Sequence, residues 1–97
     1  MFDIRFSEDA DRHLDGLPAR ARRIVIGAIE EQLQHQPTVP TRNRKKLRNN
    51  PLAEWELRVQ TYRVLYNVEE EVVKVLIVAV AVKDGNRFLI DGEEYPL

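Results

Sequence analysis

Two neighbouring stretches decide the fold: residues 55–66 read WELRVQTYRVLY and residues 72–82 read VVKVLIVAVAV. In the first, Trp55, Leu57 and Val59 alternate with polar residues, which is the pattern of a β-strand with one buried face. A two-residue turn and a second alternating segment follow, so this stretch is predicted to form a β-hairpin. The second stretch is apolar on both faces, which is typical of a strand in the centre of a sheet.

The residues before the hairpin predict one strand and two helices. Residues 2–6 alternate apolar and polar side chains, and Ser7 is a predicted N-cap of a short helix that Gly16 ends in a left-handed conformation. Residues 19–34 contain no proline and carry an apolar stripe with helical spacing. The short connection between the two helices predicts an antiparallel helical hairpin.

The C-terminal residues predict a closing hairpin. Residues 87–90 form a short predicted strand, and Asp91-Gly92 is a strong turn signal leading into residues 93–97. The predicted fold is therefore α+β, with the order β-α-α-β-β-β and a short C-terminal strand or hairpin. The helical hairpin is expected to pack on one face of a mostly antiparallel sheet, in a single domain spanning residues 1–97.

Composition excludes several classes of site. The chain has no cysteine, which removes disulfides, thiolate metal ligands and cysteine nucleophiles. It also lacks a glycine-rich phosphate loop, and the two histidines, His13 and His35, have no neighbours with metal-ligand spacing. We therefore expect neither a metal nor a cofactor. The longest apolar runs are too short to span a bilayer, so a cytoplasmic protein without a membrane partner is predicted.

Charge is strongly segregated, although the net charge is only −1. Residues 42–66 carry seven Lys/Arg against two Asp/Glu, while both flanking regions are net acidic. Such a local excess can attract a polyanion, and the alternative is a solvated loop without a partner. The candidate RNA-binding residues lie in the predicted loop before the hairpin. They are Arg42, Arg44, Lys45, Lys46 and Arg48.

A second group of cations is predicted on the sheet itself. Arg58 and Arg63 alternate away from the apolar stripe, and Lys83 follows the adjoining central strand. Guanidinium groups donate forked hydrogen bonds to phosphate oxygens, so these residues could bind RNA. In the alternative interpretation they are structural, with Glu56 as the ion-pair partner of Arg58.

The motif that these residues form resembles the RelE/ParE toxin superfamily of bacterial type II toxin–antitoxin systems. The resemblance rests on Lys46-Leu47-Arg48, on the Tyr-Arg-x-x-Tyr pattern within residues 55–66 and on the long apolar strand, and it covers nearly the whole chain. It implies a toxin that binds a cognate antitoxin. RelE-like members enter the ribosome and cut messenger RNA, using cations that help the ribose 2′-hydroxyl attack its neighbouring phosphate, whereas ParE-like members act on DNA gyrase.

The resemblance also implies a catalytic set. Arg58 and Arg63 match basic positions of the hairpin, Lys83 matches one after the central strand, and Arg87 is a candidate substitute for an arginine next to it. Asp84 occupies the position of that arginine.

Glu56 stands at a second basic position of the family pattern, and the usual C-terminal tyrosine has no clear counterpart. A carboxylate reverses the local field where an anionic transition state is held. Three functions therefore remain open: a ribosome-dependent endoribonuclease, a gyrase inhibitor without nuclease activity, and an inactive relic that only binds its antitoxin.

Overall fold

In the described part of the chain, two helices cover one face of a seven-stranded sheet. The computed structural model describes residues 1–96. Its elements are β1 (Asp3–Phe6), α1 (Glu8–Asp15), α2 (Ala19–Leu33), β2 (Arg44–Lys46), β3 (Trp55–Val59), β4 (Tyr62–Glu69), β5 (Lys74–Asp84), β6 (Arg87–Ile90) and β7 (Glu93–Glu94). The predicted α+β class is confirmed, and the predicted order of elements holds with one addition, the short strand β2 before the hairpin. The predicted closing hairpin ends at Leu97, which lies outside the described residues.

The 11-residue strand β5 is the centre of the sheet. The strands follow the order β2-β3-β4-β5-β6-β7 with antiparallel neighbours, and β1 pairs with β5 in parallel. Strand β4 borders β5 on one side, while β1 and β6 pair with its beginning and its end. The prediction of a central apolar strand is confirmed, because β5 has neighbours on both edges.

The main core lies between the helices and the sheet. Helix α2 buries Val25, Ile29 and Leu33, which recur at helical spacing, in one cluster with Trp55 and Leu57 of β3. Helix α1 packs against β5. The face of the sheet that carries Trp55 and Leu57 is called the helix-covered face below. Neither described helix has the length and apolar content of a bilayer-spanning segment.

The start of α1 is fixed to an irregular part of β5. The Ser7 hydroxyl accepts a hydrogen bond from the Ala10 amide at 3.0 Å, as predicted for an N-cap, and donates one to the Val78 carbonyl at 2.8 Å. A β-bulge interrupts the β4–β5 pairing beside Val78. Two residues on, the Val80 amide donates to Nδ1 of the buried His13 at 3.1 Å. The polar side chains of α1 therefore satisfy backbone groups next to the bulge.

The opposite face carries a smaller apolar cluster. Ala53, Leu65 and Ala79 are its buried members, and residues 47–54 fold back to contribute to it. This loop is closed by a hydrogen bond from the Leu47 amide to the Glu54 carbonyl at 2.8 Å. The face that carries Leu65 and Ala79 is called the open face below.

Two local predictions are wrong. Gly16 is right-handed, with φ of −77°, because its amide still donates to the Arg12 carbonyl at 3.1 Å and the chain passes into α2 without a left-handed reversal. Val72 and Val73, which were expected in the central strand, belong to the β4–β5 turn and are exposed. The turn is a short 3₁₀ segment, Glu70–Val72, and Val73 completes the reversal with a φ of 52°.

Candidate nucleic-acid interface

The predicted basic loop before the hairpin contains a strand. Residues Arg44–Lys46 form the edge strand β2, which pairs antiparallel with β3. Lys45 pairs with Glu56, so its side chain belongs to the open face. Arg44 and Lys46 pair with residues of the helix-covered face and share that side. The alternation of β2 therefore divides a run of cations that was predicted to act together.

Arg44 is a structural residue. It is 8% exposed, its Nε donates to the Val39 carbonyl at 3.0 Å, and its Nη1 donates to the Gln32 carbonyl at 2.5 Å. A cation is favourable there because the last carbonyls of a helix carry a partial negative charge. Arg44 links β2 to the end of α2, and the prediction that it belongs to an exposed RNA-binding loop is wrong.

Four cations of the open face lie on neighbouring positions of β2, β3, β4 and β5. Arg58 and Arg63 are directly paired across the β3–β4 hairpin, and Arg63 pairs in turn with Ala81 of β5. Lys83 lies two residues beyond Ala81 and therefore points to the same side. With Lys45, these residues are called the basic face: Lys45, Arg58, Arg63 and Lys83. Alternation within the hairpin and the central strand predicts this grouping of Arg58, Arg63 and Lys83, and the register places them accordingly.

Arg63 is the most constrained of these cations. It is 4% exposed, and its Nη1 donates to the carbonyls of Gln60 at 2.8 Å and Tyr62 at 2.9 Å. Its Nε lies 3.1 Å from Oε1 of Glu56, although the N–H is not aligned for a hydrogen bond. Burial lowers the pKa of Arg63, the charge of Arg58 acts in the same direction, and Glu56 opposes both. Arg63 is held in place by the fold before any ligand binds.

The predicted ion-pair partner of Glu56 is wrong. The sequence predicts an ion pair between Glu56 and Arg58, its neighbour on the same strand. In the structure Glu56 instead pairs with Arg63 across the hairpin. The sequence contains a signal for the Glu56–Arg63 pair. A two-residue turn pairs Arg58 with Arg63, and this register places Glu56 diagonally opposite Arg63. As a consequence Arg58 remains exposed.

The edge of the basic face forms a pocket of about 250 Å³. Arg42, Lys45, Glu56 and Arg58 contribute to its wall, and the backbone carbonyl of Asn43 accepts a hydrogen bond from the Arg58 amide at 2.8 Å. Arg42 and Lys45 are exposed there. The pocket thus combines exposed guanidinium and ammonium donors, which are the groups that bind phosphate.

Lys46 also lines this pocket, and Arg48 follows it two residues further along the chain. Both are exposed, and both line a second shallow depression together with Lys45. Four of the five predicted RNA-binding residues are therefore exposed along the β2 edge of the sheet, and Arg44 is the exception.

Arg87 lies apart from the basic face. It pairs with Asp84 across a two-residue turn in which Gly85 has a φ of 63°, and its Nη2 is 3.1 Å from Oδ2 of Asp84. Its position on the helix-covered side follows from the register, because Val82 shares that side with Asp84. The prediction that Arg87 substitutes for a missing cation beside Lys83 is wrong.

Comparisons with known proteins agree with this architecture. A family model described as the ParE toxin of the parDE type II toxin–antitoxin system matches residues 4–84. The toxin–antitoxin complex RelBE2 of Mycobacterium tuberculosis includes a chain with 30% identity and a TM-score of 0.73, aligned over 84% of this chain and 98% of that one. A search of curated proteins found no match.

Two more distant structures share the fold. The isolated RelE toxin of E. coli is 22% identical, with a TM-score of 0.71 over 87% of this chain and 86% of that one. A chain of the archaeal RelE–RelB complex of Pyrococcus horikoshii OT3 is 20% identical, with a TM-score of 0.69 over 88% of this chain and 97% of that one.

Proposed function

This chain belongs to the ParE toxin family of type II toxin–antitoxin systems, within the RelE/ParE superfamily, and we propose that it inhibits translation by cutting messenger RNA in the ribosome. The observation that carries the proposal is the basic face, where Arg58 and Lys83 are exposed beside the fixed charge of Arg63. The likeness to RelE toxins supports it at the level of the fold.

The geometry suits attack by a ribose 2′-hydroxyl on its neighbouring phosphate. In that reaction a bond forms between the 2′-oxygen and phosphorus, the bond to the 5′-oxygen breaks, and a proton passes from the 2′-hydroxyl to the leaving oxygen. Negative charge grows on the phosphate oxygens in the transition state. Arg58 offers forked donors to those oxygens and Lys83 a mobile ammonium group, while Arg63 supplies a fixed positive potential.

The exposed cations of the β2 edge would hold the RNA chain. Arg42 and Lys45 line one pocket with Arg58, while Arg48 and Lys46 line the neighbouring depression with Lys45, so these exposed cations can pair with successive phosphates. Contacts of this kind position the substrate and weaken as salt concentration rises.

The test is a cell-free translation assay in which messenger RNA ends are mapped after addition of the purified protein. The Arg58→Ala variant removes an exposed donor without disturbing the core, and we expect it to reduce the rate of cleavage about 100-fold. The matched control is Arg23→Ala, because Arg23 is an exposed arginine on α2, and its activity should equal that of the wild type. Wild-type cleavage by Arg58→Ala would refute the assignment.

Inhibition of DNA gyrase is the second candidate function. It is favoured by the loss of Arg87 from the basic face and by the Glu56–Arg63 ion pair, which leave fewer free cations for catalysis than the sequence predicted. Purified protein that blocks supercoiling by gyrase while translation and messenger RNA stay intact would establish this alternative.

An antitoxin is the proposed protein partner. The similar chains of M. tuberculosis and P. horikoshii come from complexes with their antitoxins. We expect a small protein encoded beside this chain to co-purify with it and to restore growth when both are expressed. Normal growth when the chain is expressed alone would instead indicate an inactive relic that retains only antitoxin binding.

A further inference from the structure

Helix α2 has a charged face that the core does not use. Its buried residues, such as Val25 and Ile29, point to the sheet, and the opposite side of the helix is exposed. Arg23, Gly27 and Glu31 follow one another there at intervals of four residues, so they form one line along the helix. The exposed residues of this side are called the outer face of α2: Arg20, Arg23, Gly27, Glu30 and Glu31.

The charges of the outer face are placed against the helix dipole. Arg20 and Arg23 lie in the N-terminal half of α2, and Glu30 and Glu31 lie in the C-terminal half. A helix is stabilised by the reverse arrangement, because its N-terminus is the positive end. Each of these cations is at least seven residues from each anion, which is beyond the reach of intrahelical ion pairs. Within the described residues none of the four forms an ion pair.

A second copy of α2 is complementary to this charge pattern. If two copies lie antiparallel about a two-fold axis at Gly27, Arg23 of each copy faces Glu31 of the other, because both residues are four positions from Gly27. The contact is reciprocal, as a two-fold interface requires. The antiparallel arrangement also places the positive end of each helix beside the negative end of the other.

Gly27 suits the point where the two helices meet. Glycine is unfavourable inside a helix, and a Cβ atom added at Gly27 would meet no atom within 4 Å. Packing within the described residues therefore does not require glycine at this position. Without a side chain, the backbones of two helices can approach closely.

We propose that the outer face of α2 binds a second copy of this chain, with antiparallel helices joined by reciprocal Arg23–Glu31 ion pairs around Gly27. The helices and the basic face lie on opposite sides of the sheet, so the dimer leaves the basic face accessible. A contact between two single helices is small, and we therefore expect a weak dimer in exchange with the monomer. A partner of a single charge sign would repel one half of the outer face.

Sedimentation velocity at chain concentrations from about 5 to 500 μM, in about 50 mM salt, tests the dimer. The wild type should pass from monomer to dimer as the concentration rises. Arg23→Glu and Glu31→Arg each place like charges opposite one another twice, so each should raise the dissociation constant about tenfold or more. Glu71→Arg reverses an exposed charge outside α2 and should dimerise as the wild type does. Thermal melting shows that each variant is folded.

An equimolar mixture of Arg23→Glu and Glu31→Arg separates charge complementarity from damage to the fold. In the mixed dimer the two reversed side chains face each other, and the two unchanged side chains face each other. Both pairs therefore join opposite charges. The mixture should dimerise nearly as tightly as the wild type, although neither variant does so alone.

Substitutions at Gly27 test the close approach of the helices. Gly27→Ala and Gly27→Leu place better helix formers in open space, so neither should lower the melting temperature of the dilute monomer. The leucine side chain should keep the helices apart and raise the dissociation constant about tenfold or more. The smaller methyl group of alanine should have a smaller effect.

Three results would overturn the dimer. A wild type that stays monomeric up to about 500 μM would assign the outer face to a different protein. A dimer that survives Arg23→Glu, or a mixture no tighter than its two components, would place the contact elsewhere. Sedimentation uses neither RNA nor ribosomes, so failure of the dimer and failure of the proposed cleavage can be told apart.

Discussion

The two faces of the sheet use the same strands for different purposes. On the helix-covered face, Trp55, Leu57 and Tyr66 join one cluster that extends into both helices. On the open face of the described residues the buried cluster is smaller, consisting of Ala53, Leu65 and Ala79, and the cations stand beside it. Apolar burial supplies most of the folding free energy, so the first face stabilises the molecule and leaves the second free to carry charge.

The comparison also shows that charge on the open face is not all exposed. Arg58 is exposed and Arg63, its direct cross-strand neighbour, is buried against Glu56. The two arginines therefore differ in environment although they share a face: Arg58 is accessible to solvent, and Arg63 is enclosed by the residues around it.

The largest effect should come from the helix-covered face. Leu57→Ala removes a fully buried side chain between the sheet and the helices, and we expect the free energy of unfolding to fall by about 3–4 kcal/mol in urea denaturation. Leu65→Ala, equally buried in the smaller open-face cluster, should cost about 2–3 kcal/mol because fewer neighbours surround the cavity. Equal losses would contradict the difference between the faces.

The next effect separates the two paired arginines. Arg63→Met leaves Glu56 buried without its partner and should reduce the free energy of unfolding by about 2–3 kcal/mol. Arg58→Met, at an exposed position, should change it by less than about 0.5 kcal/mol. Adding Glu56→Gln to Arg63→Met should recover part of the loss, since it removes the unpaired charge. A double mutant no more stable than Arg63→Met would show that the pair does not stabilise the fold.

A smaller effect tests how the helix-covered face holds the segment after α2. The buried Tyr66 hydroxyl donates to the Pro37 carbonyl at 2.7 Å, so Tyr66→Phe should cost about 1 kcal/mol. Tyr62 lies on the same face, and its hydroxyl makes no hydrogen bond with the described residues. Tyr62→Phe is therefore the matched control and should leave the urea midpoint unchanged.

The smallest effect lies outside both clusters, where α1 meets the C-terminal hairpin. Nη2 of Arg12 is 2.6 Å from Oδ2 of Asp91, and this contact lowers the pKa of the Asp91 carboxyl. A lowered folded-state pKa stabilises the protein above the ordinary aspartate value of about 4 and loses that contribution as pH falls through the folded value. Asp91→Asn should thus melt slightly earlier than wild type at neutral pH, with the difference vanishing in acid. Arg12→Gln should remove most of the same pH dependence, because the Arg12 hydrogen bond is the largest cause of the lowered Asp91 pKa and His13 is a smaller one.

Much of the fold could be predicted because its signals are local. The alternation around Leu57, the hydroxyl of Ser7 before a helix and the apolar residues of β5 each specify their element through nearby residues. The errors occur where distant segments decide the result. Arg44 is structural because carbonyls at and after the end of α2 accept its hydrogen bonds. Val73 lies outside β5 because it completes the turn from β4.

The sequence by itself determined which residues alternate, where the central strand lies and that the cations concentrate between residues 42 and 66. Only the tertiary structure decided that Lys45 shares the open face with Arg58, Arg63 and Lys83, whereas Arg44 and Arg87 do not. Lys83 and Arg87 are four residues apart, yet a two-residue turn between their strands places them on opposite faces. The same strand register pairs Phe88 with Lys83. The physical reason is that side-chain direction is local along one strand, whereas the partner of a strand, and hence the neighbours of each side chain, is set by pairing across turns and bulges.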